Sequence, residues 1–196
     1  MTIPEHLEEL RYRVLVSLLA LVAGGVAAWR VVPHAIAVLA REAGRLVVTT
    51  PAEAFVGYLK LLLAVDLVLA GPVILAQVWL YVVPALYPHE VRLAVRAVPA
   101  AVGLFLAGVA FGYVVLYPVA LRFLLSQAGS GVMPAISFHR LLSFLFGLTV
   151  PLGLLFEMPL AGFVAARLGL VTPAGLRRGR RWAVLAAFTL SAVLTP

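Results

Sequence analysis

Residues 58–83 read YLKLLLAVDLVLAGPVILAQVWLYVV, an apolar run that carries two charges, Lys60 and Asp66. About 20 apolar residues cross the hydrocarbon core of a bilayer as a helix, so this run spans with turns to spare. Three more runs qualify, roughly 14–32, 97–121 and 141–166. A fifth, 182–196, offers only about fifteen residues, short for a comfortable span. The composition agrees. Of 196 residues, 64% are hydrophobic and 12% charged, with a mean hydropathy of +1.10. A soluble domain is nearer half apolar and a quarter charged. One aqueous core cannot absorb that excess, and the chain reads as a single all-α, polytopic membrane domain over 1–196.

The ends of the runs set the orientation. Arg11, Arg13, Arg92, Arg96, Arg167, Arg177, Arg178, Arg180 and Arg181 fall on one side, nine cations against six on the other: Arg30, Arg41, Arg45, Lys60, Arg122 and Arg140. Cytoplasmic loops carry the excess of arginine and lysine, which places the N-terminus and the 168–181 loop in the cytoplasm. The first 28 residues resemble a secretory signal peptide in outline, but Glu5, Glu8 and Glu9 precede the apolar run, so a retained first helix is expected. Before it, residues 2–13 read as a short interfacial helix. Thr2 and Glu5 are spaced as a capping box, and Ile3, Leu7, Leu10 and Val14 form one apolar stripe for the membrane surface. The segment 33–57 is the longest polar connection and is expected to form a small cap on the far side.

Pro72, Pro99, Pro118, Pro151 and Pro159 fall inside the spans. Each removes a backbone donor, which lipid tolerates only where neighbours satisfy the freed carbonyl. So many prolines predict kinked helices around a concave face. The single GxxxG, GVAFG at 108–112, is a weak signal of close helix packing.

Enzyme templates fail. HEVRL (89–93) starts like a zinc-protease helix but lacks the second histidine, and His6, His34 and His139 have no ligand spacing. No metal or cofactor is expected. Cysteine is absent, which removes thiolate sites and a cysteine nucleophile. The net charge of +7 sits at span ends facing anionic headgroups, so nucleic acid is not an expected partner.

Five acids invite explanation. In HLEELRYR (6–13), Glu9–Arg13 and Glu8–Arg11 have the spacing of ordinary helical ion pairs. Glu90 follows Pro84 and Pro88 and falls in the first turn of the next helix, where acids suit the helix dipole. Glu157, in GLLFEMPLA (153–161), has no cation within nine residues on either side and lies roughly 15 Å from the cytoplasmic end of its span. A membrane acid costs on the order of 3 kcal/mol even on lenient scales and usually faces a cavity or a partner. Asp66 is placed similarly in the second span, with no local partner. These residues leave two functions open: a small proton- or ion-coupled transporter using Asp66 and Glu157, and the membrane subunit of a larger permease docked through the arginine loop.

HLEELRYR, GPVILAQVWLYVVPALYPHE (71–90), FEMP (156–159), TPAGLRRGRR (172–181) and the closing LTP (194–196) resemble, in order, the motifs of the TatC family, the multi-span subunit of the twin-arginine protein translocase. The resemblance implies a six-helix, glove-shaped protein of the cytoplasmic membrane, of which this chain carries five helices. It implies no enzymatic activity and no cofactor. It implies recognition of signal peptides bearing two consecutive arginines, TatA- and TatB-type single-span partners, a homo-oligomer within the translocase, and export driven by the proton-motive force. By motif position, Glu9 and Glu90 receive the arginine pair, with Arg11, Tyr81, Pro84, Leu86 and Tyr87 in supporting contacts and Glu157 on the concave intramembrane face. Tyr81 stands where the family carries phenylalanine, and Asp66 matches no acid of the family.

Overall fold

The computed structural model describes residues 3–43, 46–82, 91–127 and 135–167, with isolated positions at 169, 179, 184–185 and 188–189. It is mostly helical. The elements are α1 (Ile3–Ala43), β1 (Leu46–Val47), α2 (Pro51–Val82), α3 (Val91–Phe111), a π-turn (Gly112–Leu116), α4 (Tyr117–Ser126), β2 (Ile136–Ser137) and α5 (Phe138–Arg167). Among the described residues four stretches are long and apolar enough to cross a membrane: Pro4–Ala43, Pro51–Tyr81, Ala97–Ser126 and Phe138–Ala166. The runs 14–32, 97–121 and 141–166 lie inside three of them, and the run 58–83 overlaps Pro51–Tyr81. The fifth run, 182–196, lies outside the described residues apart from isolated positions.

Two expectations change. Residues 3–13 are not a separate interfacial helix, because nothing between Arg13 and Val14 breaks the backbone and α1 runs through all 41 residues. The segment 33–57 is not an irregular cap throughout. Helix α1 continues past Pro33 to Ala43, and α2 already begins at Pro51. The reason is a buried stripe: Val32 and Leu39 are core residues, with Ala35, Ile36 and Ala43 packed against them. Positions 32, 35, 36, 39 and 43 share one helical face. Burial of that face outweighs the hydrogen bond lost at Pro33.

What remains of the cap is compact. β1 and β2 pair in parallel, Leu46 opposite Ile136 and Val47 opposite Ser137. Glu53 accepts hydrogen bonds from the backbone N–H of Thr49 at 2.8 Å, the Thr49 hydroxyl and the Ser137 hydroxyl. Beneath it lies the main apolar cluster of Val32, Leu39, Leu61, Tyr117, Phe138, Leu141, Leu142 and Leu145.

Helix α1 packs on α2, α3 on α5, and α2 touches both α3 and α5. The GVAFG motif makes the α3–α5 seam. A Cβ on Gly108 would lie 2.6 Å from the Leu152 carbonyl oxygen, and one on Gly112 would lie 3.0 Å from Thr149 Cα. The two backbones therefore meet where only glycine fits. The π-turn follows directly, with the Tyr117 N–H bonded to the Gly112 carbonyl. Pro118 explains it, since proline has no N–H for the i−4 carbonyl and its ring crowds that turn. Widening the turn accommodates both effects without ending the helix.

Candidate functional site

The N-terminal turns of α1 and the last turns of α2 lie side by side. On α1, His6, Glu9 and Arg13 recur at three- and four-residue spacing and share a face. On α2, Gln77 and Tyr81 are four apart and share the facing surface. Arg13 donates to Glu9 Oε1 from Nε at 3.2 Å and from Nη2 at 2.8 Å, and its Nη1 donates to Gln77 Oε1 at 3.0 Å. The Ser17 hydroxyl donates to the Arg13 carbonyl at 2.9 Å. Tyr81 Oη and His6 Nε2 are 2.7 Å apart, with the rings stacked at a centroid distance of 4.7 Å. The Tyr81 hydroxyl thus ties the two helices together.

Glu9 is closed in this arrangement. Its side chain is 17% exposed, one oxygen carries both Arg13 donors, and the other, Oε2, is buried with no hydrogen bond. The ion pair expected from the Glu9–Arg13 spacing is formed. Glu8 and Arg11 are both exposed, and among the described residues no ion pair joins them.

Glu157 lies on α5 beside the Trp79 indole of α2 and the Phe105 main chain of α3. Both its carboxylate oxygens are buried, and neither makes a hydrogen bond of good geometry. Trp79 is two residues from both Gln77 and Tyr81, about 200° round the helix. The end of α2 therefore turns Gln77 and Tyr81 toward Arg13 and His6 of α1 and Trp79 toward Glu157 of α5.

Asp66 belongs to neither place. It is 6% exposed and faces Gly24 and Gly25 of α1, where a Cβ on Gly24 would overlap its Oδ1. That oxygen has no hydrogen-bond partner. Thirteen residues separate Asp66 from Trp79, about 20 Å along α2, so the two intramembrane acids lie on different seams and at different depths.

Glu90, Pro84, Leu86 and Tyr87 lie outside the described residues, as does most of the 168–181 loop. Of the residues named from the sequence, Glu9 and Tyr81 are brought to one surface, and Arg11 is on the same helix but exposed. Sequence reading missed three members of that surface: His6, Arg13 in its tertiary role, and Gln77. The signal for Gln77 was available, since a lone amide in an apolar span needs a partner.

The family model described as Sec-independent protein translocase protein (TatC) matches residues 5–196. The Sec-independent protein translocase protein TatC of Carboxydothermus hydrogenoformans is 34% identical over 200 residues, covering 100% of this chain and 82% of that protein. Its counterpart in Aquifex aeolicus is 33% identical over 204 residues, covering 100% and 85%. A crystal structure of the twin-arginine translocase receptor TatC superposes with a TM-score of 0.84 at 34% identity, over 97% of this chain and 87% of that one. A second, in DDM, gives 0.87 at 33% identity over 97% and 88%. The matched range takes in HLEELRYR, the 71–90 motif and FEMP, which lie on α1, on α2 as far as Val82, and on α5. This chain belongs to the TatC family of Sec-independent protein translocase proteins, membrane components of a protein translocase and not enzymes.

Proposed function

We propose that this protein is the receptor subunit of a twin-arginine translocase: it takes the arginine pair of a signal peptide on Glu9 and Glu90 at the cytoplasmic face and nucleates the translocation complex. The observation that carries the proposal is Glu9, a carboxylate held at the paired ends of α1 and α2 with one oxygen unbonded. A guanidinium fork matches a carboxylate with two parallel hydrogen bonds, and lysine cannot copy that geometry. Arg11, Tyr81, Pro84, Leu86 and Tyr87 supply the surrounding contacts. Glu157 seats the signal-peptide hairpin or a partner helix on the concave side of a glove-shaped bundle.

The protein works in the cytoplasmic membrane of a bacterium or archaeon, with its N-terminus in the cytoplasm. Its partners are single-span proteins of the TatA and TatB type and further copies of itself, and the proton-motive force drives export of folded precursors. Photo-crosslinkers at positions 9 and 90, offered precursors with RR or KK in the signal, test the receptor role. Adducts should form with RR and fall severalfold with KK. Equal yields from the two precursors would refute it.

A further inference from the structure

We infer that Arg13 is an intramolecular competitor at this site: its guanidinium occupies Glu9 in the resting protein and must be displaced before the carboxylate pairs with a signal-peptide arginine. The inference rests on the proposed receptor role of Glu9. Two donors of Arg13, Nε at 3.2 Å and Nη2 at 2.8 Å, converge on the single oxygen Oε1. Oε2 is enclosed and unbonded. A two-pronged guanidinium–carboxylate pair needs both oxygens, so an incoming arginine finds no open pair while Arg13 stays in place.

The resting contact is also an incomplete one. Arg13 engages one oxygen of Glu9, whereas a guanidinium arriving from outside gains both once the carboxylate turns. Gln77 makes the exchange feasible. Its Oε1 accepts from Nη1 of Arg13 at 3.0 Å, so the displaced side chain keeps a partner on α2 and is not stranded part-buried without one. Lysine offers donors on one point only and gains nothing from the second oxygen. A competitor of this kind lowers the apparent affinity of every cationic ligand by one common factor, the fraction of time that Glu9 is free. Arg13 therefore sets how strong a signal must be to bind, while the fork geometry sets which cation is preferred.

The test measures binding of fluorescent signal peptides, RR and KK, to the full chain purified in detergent. Arg13→Gln should tighten both peptides by the same factor, on the order of tenfold if Glu9 is free a tenth of the time, with the RR-to-KK ratio unchanged. Arg13→Lys keeps the charge and loses the fork, and should move binding in the same direction by less. Unchanged or weaker binding in Arg13→Gln overturns the inference, as does a gain confined to one peptide. If Arg13→Gln does not fold, Arg13→Lys decides by the same criterion. Glu9→Gln separates the two levels. If it binds RR peptide as the parent does, the receptor role fails. If it loses binding while Arg13→Gln gains none, only the competitor fails.

Discussion

Asp66 and Gly24 are a pair defined by contact. The carboxylate fills the space that a side chain at position 24 would need, and Ala70 stands beside it, 3.3 Å from that same Cβ position. Gly24→Ala should therefore destabilise the protein by about 1–3 kcal/mol, the usual range for overpacking, read as a fall in melting temperature in detergent. The partner variant Asp66→Ala removes the obstructing oxygens, so Gly24→Ala should cost much less in that background. Equal costs in the two backgrounds would mean that the seam relaxes by another route. The sequence marked Asp66 as an acid without a local partner, and it was right that none exists among residues nearby in the chain. It could not tell that two glycines, forty residues earlier, make room for the acid. Nothing in GGVAA distinguishes glycine kept for close approach from glycine in an ordinary apolar run.

At the level of elements, the glycines of α3 divide by what they face. Gly108 meets the backbone of α5, whereas a Cβ on Gly103 would meet nothing within 4 Å. Alanine is favoured over glycine in a helix by about 1 kcal/mol, so Gly103→Ala should be neutral or stabilising. Gly108→Ala should reverse that sign, because the Leu152 carbonyl 2.6 Å away cannot move without opening the α3–α5 seam. Parallel melting curves of the two variants check this, and a stabilised Gly108→Ala would sink the account of the seam. The spans were legible because a run of apolar residues has few alternatives in lipid. The extension of α1 to Ala43 was also written in the chain, in the 32, 35, 36, 39 and 43 stripe, but Pro33 and the polar residues around it obscured the period. The β1–β2 pair was not legible, since two-residue strands have no period to detect.

Across the whole molecule, helix length exceeds what a bilayer requires. Helix α1, with 41 residues, is about 60 Å long at 1.5 Å per residue, roughly twice the hydrocarbon thickness. Its first turns, with His6, Glu9 and Arg13, and its last turns, under the β1–β2 pair, therefore project into the headgroups or beyond on opposite sides. This geometry gives the polar surface built on Glu9 and the cap built on Glu53 separate aqueous compartments. From the nine cations against six counted along the chain we propose that the Glu9 end faces the cytoplasm. Because the chain has no cysteine, single cysteines can map it directly. Glu8 and Thr50 are both exposed and lie at opposite ends of the α1–α2 hairpin. In intact cells a membrane-impermeant maleimide should label Thr50→Cys and spare Glu8→Cys, with both reacting once the membrane is opened. The opposite pattern would put Glu9 outside the cytoplasm, where no newly made signal peptide could reach it, and the receptor role would fall with the orientation.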